Sequence, residues 1–205
     1  MQPSILLSTA FLVVPTIAQS APLNTSREYI LWTCLKPNQT GKETYQGLQL
    51  STYHTGAGES DIVFSELSDN YTVKGWLTPA SNNTNDTNNY YQELDLGTPT
   101  YPWTMLLATN VNFYAAWEPV RVFVGSGSNS SEYGVQNGFF INETGLQWTS
   151  APHGAGGAAD YFGGWLVCDW WHEVPQLFVR NRYYNSNPPY TPSSCADVDL
   201  VPYYY

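Results

Sequence analysis

Charged residues are scarce in this sequence, and basic residues are the scarcest. Only 12% of its 205 residues are charged, with seven lysines and arginines against seventeen aspartates and glutamates, which gives a formal net charge of −10. Nucleic-acid binding normally needs a positive surface for the phosphates, so this balance argues against it. Because soluble domains average about 25% charged residues, the polar surface must come from Ser, Thr, Asn, Gln, Gly and Tyr.

Cysteines and long apolar runs are scarce too. Three cysteines are too few for the disulfide framework of a mini-protein, and no segment beyond the N-terminus is long and apolar enough to predict a membrane span. Pro, Gly and Asn interrupt the chain too often for long helices. Aromatic residues are plentiful, with sixteen tyrosines and eight tryptophans. That supply can build a hydrophobic core and excludes wholesale disorder.

The N-terminus predicts an extracellular destination. The first twenty residues contain no charged side chain, and their apolar run, residues 5–14, is too short to span a bilayer. Small residues follow, so we predict a secretory signal peptide over residues 1–20, cut after Ala18 or Ser20, and one mature domain over residues 21–205. No membrane attachment is expected after cleavage. An apolar N-terminal strand of a cytosolic protein is the alternative, since no lysine or arginine precedes the run.

Seven Asn-x-Ser/Thr sequons support the same destination, and most lie in Gly-, Ser- or Asn-rich stretches typical of loops. They are Asn24, Asn38, Asn70, Asn82, Asn85, Asn129 and Asn142. Together with the signal peptide they predict a glycoprotein that passes through a eukaryotic secretory pathway.

The odd number of cysteines allows at most one intramolecular disulfide. We predict Cys168–Cys195, because both residues lie in the C-terminal third. A loop of that length would be worth about 3–4 kcal/mol of stability. Cys34 would then be a free, buried thiol, and a bridge from Cys34 to either of the other two is the alternative.

Short runs of β-branched and aromatic residues, separated by Gly, Pro, Asn and Ser, predict strands throughout. The predicted strands are Glu28–Leu35, Gly47–His54, Ile62–Leu67, Thr72–Leu77, Tyr90–Leu96, Thr104–Thr109, Pro119–Val124, Gly138–Ile141, Gly145–Thr149, Gly164–Trp170, Gln176–Arg180 and Val198–Tyr203. About a dozen short strands favour a single all-β domain, an antiparallel β-barrel or β-sandwich. A β-trefoil has a similar strand count and is the alternative, although the sequence shows no clean internal repeat.

Alternation within two of these strands predicts which side chains are buried. Val120, Val122 and Val124 share one face, which we expect to meet the core, while Arg121 points away. In the run from Trp165 to Trp171 both faces are largely apolar, so that strand should be buried on both sides.

Two blocks are similar to those of a known family. They are Tyr53–Gly58 (YHTGAG) and Phe162–His172 (FGGWLVCDWWH), the second followed by VPQLF over residues 174–178. The chain resembles a family of small secreted proteins of filamentous ascomycete fungi, a domain of unknown function, and the resemblance covers nearly the whole mature chain. It implies a secreted fungal protein of one domain with no established activity and no catalytic residues to carry over.

The most unusual feature is the block Asp169, Trp170, Trp171 and His172. As a recognition site, its indole faces would stack on sugar rings while Asp169 and His172 bond hydroxyl groups. As a structural element, Trp170 and Trp171 would fill the core, Asp169 would cap a turn and His172 would bond a backbone carbonyl. His54, before a Gly-rich turn, is a further candidate for the site, or simply a turn histidine.

Other catalytic patterns are weak or missing. The three histidines have no His-x-x-x-His spacing, so we predict no metal site and no cofactor, and no Gly-x-Ser-x-Gly elbow is present. Carboxylates beside aromatic residues would suit a small glycosidase; they are Glu93, Asp95, Glu118, Asp169 and Glu173. We therefore expect a non-catalytic module that binds an extracellular glycan or protein. The alternatives are a structural or interaction protein acting through its surface, and a small hydrolase.

Overall fold

The computed structural model describes residues 28–66, 72–80, 88–97, 102–107, 116–125, 134–150, 152, 162–181 and 190–204. The strands in these ranges are β1 (Tyr29–Leu35), β2 (Gln49–Gly56), β3 (Glu59–Ser65), β4 (Lys74–Pro79), β5 (Tyr90–Asp95), β6 (Trp103–Leu107), β7 (Trp117–Val124), β8 (Asn137–Asn142), β9 (Gly145–Trp148), β10 (Phe162–Asp169), β11 (Pro175–Asn181) and β12 (Cys195–Tyr204). Each predicted strand overlaps one of them. A 3₁₀ turn, Glu43–Tyr45, was not predicted.

The predicted all-β barrel is confirmed, and its strand pairing is that of the alternative, a β-trefoil. Strands β1, β4, β5, β8, β9 and β12 pair in that order and return to β1, which closes an antiparallel ring. The other strands form the hairpins β2–β3, β6–β7 and β10–β11. Strands β3, β7 and β11 also pair with one another. Three hairpins therefore form a triangular cap on a barrel.

The cap has threefold pseudosymmetry in its register but not in its sequence. Equivalent cross-strand pairs join β3 to β7, β7 to β11 and β11 to β3; they are Asp61–Arg121, Pro119–Phe178 and Gln176–Val63. One pair is ionic, one apolar and one mixed. This explains why the sequence carries no recognisable internal repeat.

One apolar core fills the barrel and lies against the inner face of the cap. Leu31, Leu50, Phe64 and Val122 are among its buried members, and they come from barrel and cap strands alike. Gly145 brings β9 against β12: it has a φ of 118°, and a Cβ there would lie 2.2 Å from the Leu200 carbonyl oxygen. Only glycine permits so close an approach.

Strand β10 is buried on both faces as far as Cys168, as predicted, but the last three residues of the predicted run, Asp169 to Trp171, are exposed. Trp165 and Val167 belong to the main core, whereas Leu166 and Cys168 form a smaller cluster with Phe178 on the opposite face. The prediction for β7 is right in part. Val120 and Val122 are fully buried and Arg121 faces away, but Val124 is exposed because it ends the strand.

The predicted disulfide Cys168–Cys195 is present, and it links directly opposed residues of β10 and β12. Cys34 is free, but the prediction that it is buried is wrong. It follows buried Thr33 on β1, so strand alternation directs its side chain outward, where it is exposed.

Several predictions fall outside the described ranges. They include the signal peptide over residues 1–20 and the sequons at Asn24, Asn70, Asn82, Asn85 and Asn129. Of the described sequons, Asn38 lies in a bend and Asn142 is the last residue of β8, and both are exposed. In the same ranges, no helix combines the length and apolarity needed to cross a membrane.

Candidate functional site

The tryptophan block does not enter the core. Strand β10 ends at Asp169, and the residues after it form the turn to β11. Trp170 is 50% exposed and Trp171 is 74% exposed. The structural interpretation that placed both indoles in the core is therefore wrong, because strand alternation no longer applies beyond the end of β10. Glu173 has a φ of 60°, which lets the chain reverse here.

His172 turns back from this loop onto the outer face of the cap. Its side chain is only 6% exposed, and its Nε2 lies 2.8 Å from Oδ2 of Asp61 on β3. The predicted bond to a backbone carbonyl is thus replaced by one to a buried carboxylate. The second oxygen, Oδ1, is 3.3 Å from Nε of Arg121 on β7, the residue opposite Asp61 in the register. One carboxylate therefore lies between two basic side chains from different hairpins.

Two aromatic rings flank His172. The Tyr53 ring stacks on the imidazole with centroids 4.0 Å apart, and the Trp171 ring lies 4.5 Å away at a tilt of 33°. Tyr53 is the residue opposite Asp61 in the β2–β3 hairpin, which fixes both on the same face. Trp170 packs edge-on against Phe178. We call Tyr53, Trp170, Trp171 and His172 the aromatic patch.

The structure does not bring the other two candidates into the patch. His54 is exposed and lies opposite Ser60, on the strand face away from Tyr53. Asp169 is exposed, its N–H donates to the Ser194 carbonyl, and its carboxylate lies against Tyr45 instead. The pKa of Tyr45 is raised to about 12. Burial is the larger cause, and the contact with Asp169 is the second.

Sequence reasoning missed two residues that hold the patch, Asp61 and Arg121. The one available signal was the expectation that Arg121 points away from the core. The local spacing of residues does not reveal that β3 pairs with β7. It also does not reveal the contact between Asp61 and His172, which are far apart in sequence.

The carboxylates considered for catalysis have other surroundings. Glu93 accepts hydrogen bonds from Trp76 Nε1 and Thr78 Oγ1 at 2.8 and 2.6 Å. Glu118 lies on the core-facing side of β7, and burial raises its pKa to about 7. Among the described residues, no three His, Cys, Asp or Glu side chains are grouped so as to hold a metal ion.

An ionic network lies outside the aromatic patch. Arg180 bonds Asp197 and Thr191, and Thr191 also bonds Asp197. Burial raises the pKa of Asp197, but these hydrogen bonds and the charges of Arg180 and Lys36 outweigh it and hold the pKa below its ordinary value. The network therefore keeps a charged carboxylate beside the disulfide.

The comparisons with known proteins give a family and no activity. A search of curated proteins found no match. Residues 26–204 match the family model described as Domain of unknown function (DUF7907), which covers every strand of the barrel and cap. The chain therefore belongs to the DUF7907 family.

Proposed function

We propose that this chain is a secreted fungal glycoprotein that binds an extracellular carbohydrate through the aromatic patch. The observation that carries the proposal is the exposure of Trp171, 74%, beside the 45% exposed Tyr53. Large aromatic side chains are seldom left this exposed without a binding role when they lie together. Trp170, in the same turn, is 50% exposed.

The chemistry of the patch suits a neutral, hydroxyl-rich ligand. Indole and phenol rings present flat apolar faces, on which a sugar ring can stack through its C–H groups. His172 holds the Trp171 turn through its bond to Asp61, so the surface is ordered before a ligand arrives. Arg121, whose side chain is 38% exposed, offers guanidinium donors to hydroxyl groups at the edge.

The alternatives receive less support. The structural hypothesis placed Trp170 and Trp171 in the core, but both are exposed. A hydrolase built on Asp169, His172 and His54 needs them in one cleft, whereas His172 contacts Asp61 instead. A protein partner for the same patch remains a distinct outcome of the binding test.

The proposal is tested by titrating the folded protein with a panel of fungal and plant cell-wall polysaccharides. Tryptophan emission detects binding to the wild type, and calorimetry measures the variants. We expect saturable binding to one class, weakened about tenfold by Trp171→Ala, a loss of about 1.4 kcal/mol. Tyr203→Ala is the matched control, because Tyr203 is an exposed aromatic residue on β12. No binding across the panel contradicts the glycan proposal and favours a protein partner.

The secreted destination has its own test. Its support comes from the sequons, of which Asn38 and Asn142 are exposed, and from a disulfide, which persists in oxidising compartments. Sequencing the N-terminus of the protein from the culture medium should find Gln19 or Ala21 first. An intracellular chain that retains residues 1–20 would contradict this part of the proposal.

A further inference from the structure

A groove of about 570 Å³ lies on the surface beside the disulfide, apart from the aromatic patch. One wall is the turn of residues 38–42, the other is the segment of residues 190–193, and the base includes Cys195 and Asp197. This volume falls in the range of small-ligand sites, about 300–1,000 Å³.

The groove is held in shape before anything binds. Its base carries the disulfide and the bonded group of Arg180, Thr191 and Asp197. The Gln39 amide exchanges two hydrogen bonds with the backbone of Asp197, at 2.7 and 2.6 Å. The two walls meet through one bond at the surface, from Lys42 Nζ to the Ser193 carbonyl.

The groove contains a sequon asparagine and an exposed aromatic ring. Asn38 is exposed, lies in the wall itself, and has a φ of 65°, a left-handed conformation that asparagine tolerates well. Thr40, which completes the sequon, lines the same groove. On the other wall, Tyr190 is 65% exposed. A sugar attached to Asn38 would meet a polar groove with one ring for stacking.

We propose that the N-glycan of Asn38 places its first sugars in this groove against Tyr190 and so joins the two walls. In the modification, the amide nitrogen of Asn38 bonds to the anomeric carbon of a diphosphate-activated oligosaccharide. The sugar–phosphate bond breaks, its electron pair leaves with the diphosphate, and the amide loses a proton. This inference rests on the proposed passage through the secretory pathway.

Asn142 supplies a matched comparison. It lies exposed at the β8–β9 turn, where its side-chain oxygen accepts bonds from the N–H and hydroxyl of Thr144. It is not among the residues that line the groove. A glycan at Asn142 should therefore leave the thermal stability of the protein almost unchanged.

The experiment uses the full chain secreted from a eukaryotic host, with glycopeptide mass spectrometry for occupancy and calorimetry for Tm. Thr40→Ala removes the Asn38 sequon without straining Asn38, and Thr40→Ser retains it. We expect Thr40→Ala to lower Tm by about 3 °C and Thr40→Ser to have no effect. Tyr190→Ala should keep the Asn38 glycan and still lower Tm by a similar amount. Asn142→Asp should remove the Asn142 glycan, keep the oxygen that accepts from Thr144, and shift Tm by less than about 1 °C.

Unglycosylated protein from an oxidising bacterial compartment separates the glycan from the side chain of Thr40. There, wild type and Thr40→Ala should melt at the same temperature. Occupancy of Asn142 with an empty Asn38 overturns this inference alone. If both are occupied but Thr40→Ala melts like Asn142→Asp, the sugar does not dock. If neither site is occupied, both this inference and the proposed secretory passage are wrong.

Discussion

Strand β10 and the turn that follows it contain one tryptophan-rich run in two opposite environments. Trp165, within the strand, is 1% exposed, and its Nε1 donates to the Leu146 carbonyl at 2.6 Å. Trp171, two residues past the strand end, is 74% exposed. The difference shows that the end of the strand, rather than the local composition, decides which indoles build the core and which are exposed.

The largest expected effect comes from exchanging each tryptophan for alanine. Trp165→Ala leaves a cavity in the barrel and removes the hydrogen bond from the indole to the Leu146 carbonyl, so we expect a loss of about 3–5 kcal/mol in the free energy of unfolding. Trp171→Ala removes an exposed side chain and should cost less than about 0.5 kcal/mol. Urea denaturation followed by circular dichroism measures both. Equal losses would erase the distinction between strand and turn.

The disulfide sharpens the comparison, because it fixes β10 to β12 just before the turn begins. Replacing Cys168 and Cys195 together by alanine should lower the free energy of unfolding by about 3–4 kcal/mol. Cys34→Ala is the control, since this thiol is free and exposed, and it should change stability little. Chemical denaturation curves compare the variants. A double variant as stable as Cys34→Ala would contradict a structural role for the bridge.

Two carboxyl groups also have different surroundings, one beside the aromatic patch and one facing the core. Asp61, which contacts His172 of the aromatic patch, has basic partners, whereas Glu118 faces the core and burial raises its pKa to about 7. Because the folded state holds the Glu118 proton more tightly than the unfolded state, stability from this group is complete below about pH 4.5. It declines as the pH rises and is lost above about pH 7. The expected loss is at most about 3 kcal/mol.

A series of melting curves between pH 4 and pH 8 tests this dependence. Glu118→Gln carries no titrating proton, so its stability should fall much less over that interval. Asp197 acts in the opposite sense. Because its pKa is lowered in the folded state, it stabilises the protein at higher pH, and this stabilisation is lost only as the pH falls into stronger acid. Parallel pH profiles for the wild type and Glu118→Gln would show that Glu118 does not control the decline.

The smallest effect concerns two histidines, His172 in the aromatic patch and His54 outside it. His172→Ala removes the bond to Asp61 and the stack on Tyr53, so we expect a loss of about 1 kcal/mol and a shift in tryptophan emission. His54→Ala should leave both unchanged, because His54 is exposed. Denaturation curves and emission spectra measure the pair. If both variants behave alike, His172 does not hold the turn.

Local pattern was enough to predict the strands and the disulfide, but not the order in which strands pair. The barrel order follows from contacts such as Leu200 with Leu146, which join distant parts of the chain. In the cap, equivalent positions carry residues as different as Asp61 and Pro119. A threefold arrangement built from unlike residues has no signal in composition or periodicity.

The candidate site was predicted in part. The block containing Trp171 and His172 was singled out, yet carrying strand alternation past Asp169 suggested buried indoles. Asp61 and Arg121 were missed because their pairing depends on how the β3 and β7 hairpins meet. A lone aspartate before an apolar run and an outward arginine are ordinary features until the fold brings them together.

The pairing of β1 with β12 imposes an order on folding. These strands pair from Tyr29 opposite Tyr204 to Leu35 opposite Val198. The first described strand of the chain can therefore complete its pairing only after the last described strand has been synthesised. During synthesis, β1 presents an unpaired edge that other chains can join. Ring closure between distant segments is also slow. Yield in the cell should therefore depend on protection of the growing chain from aggregation until β12 has emerged.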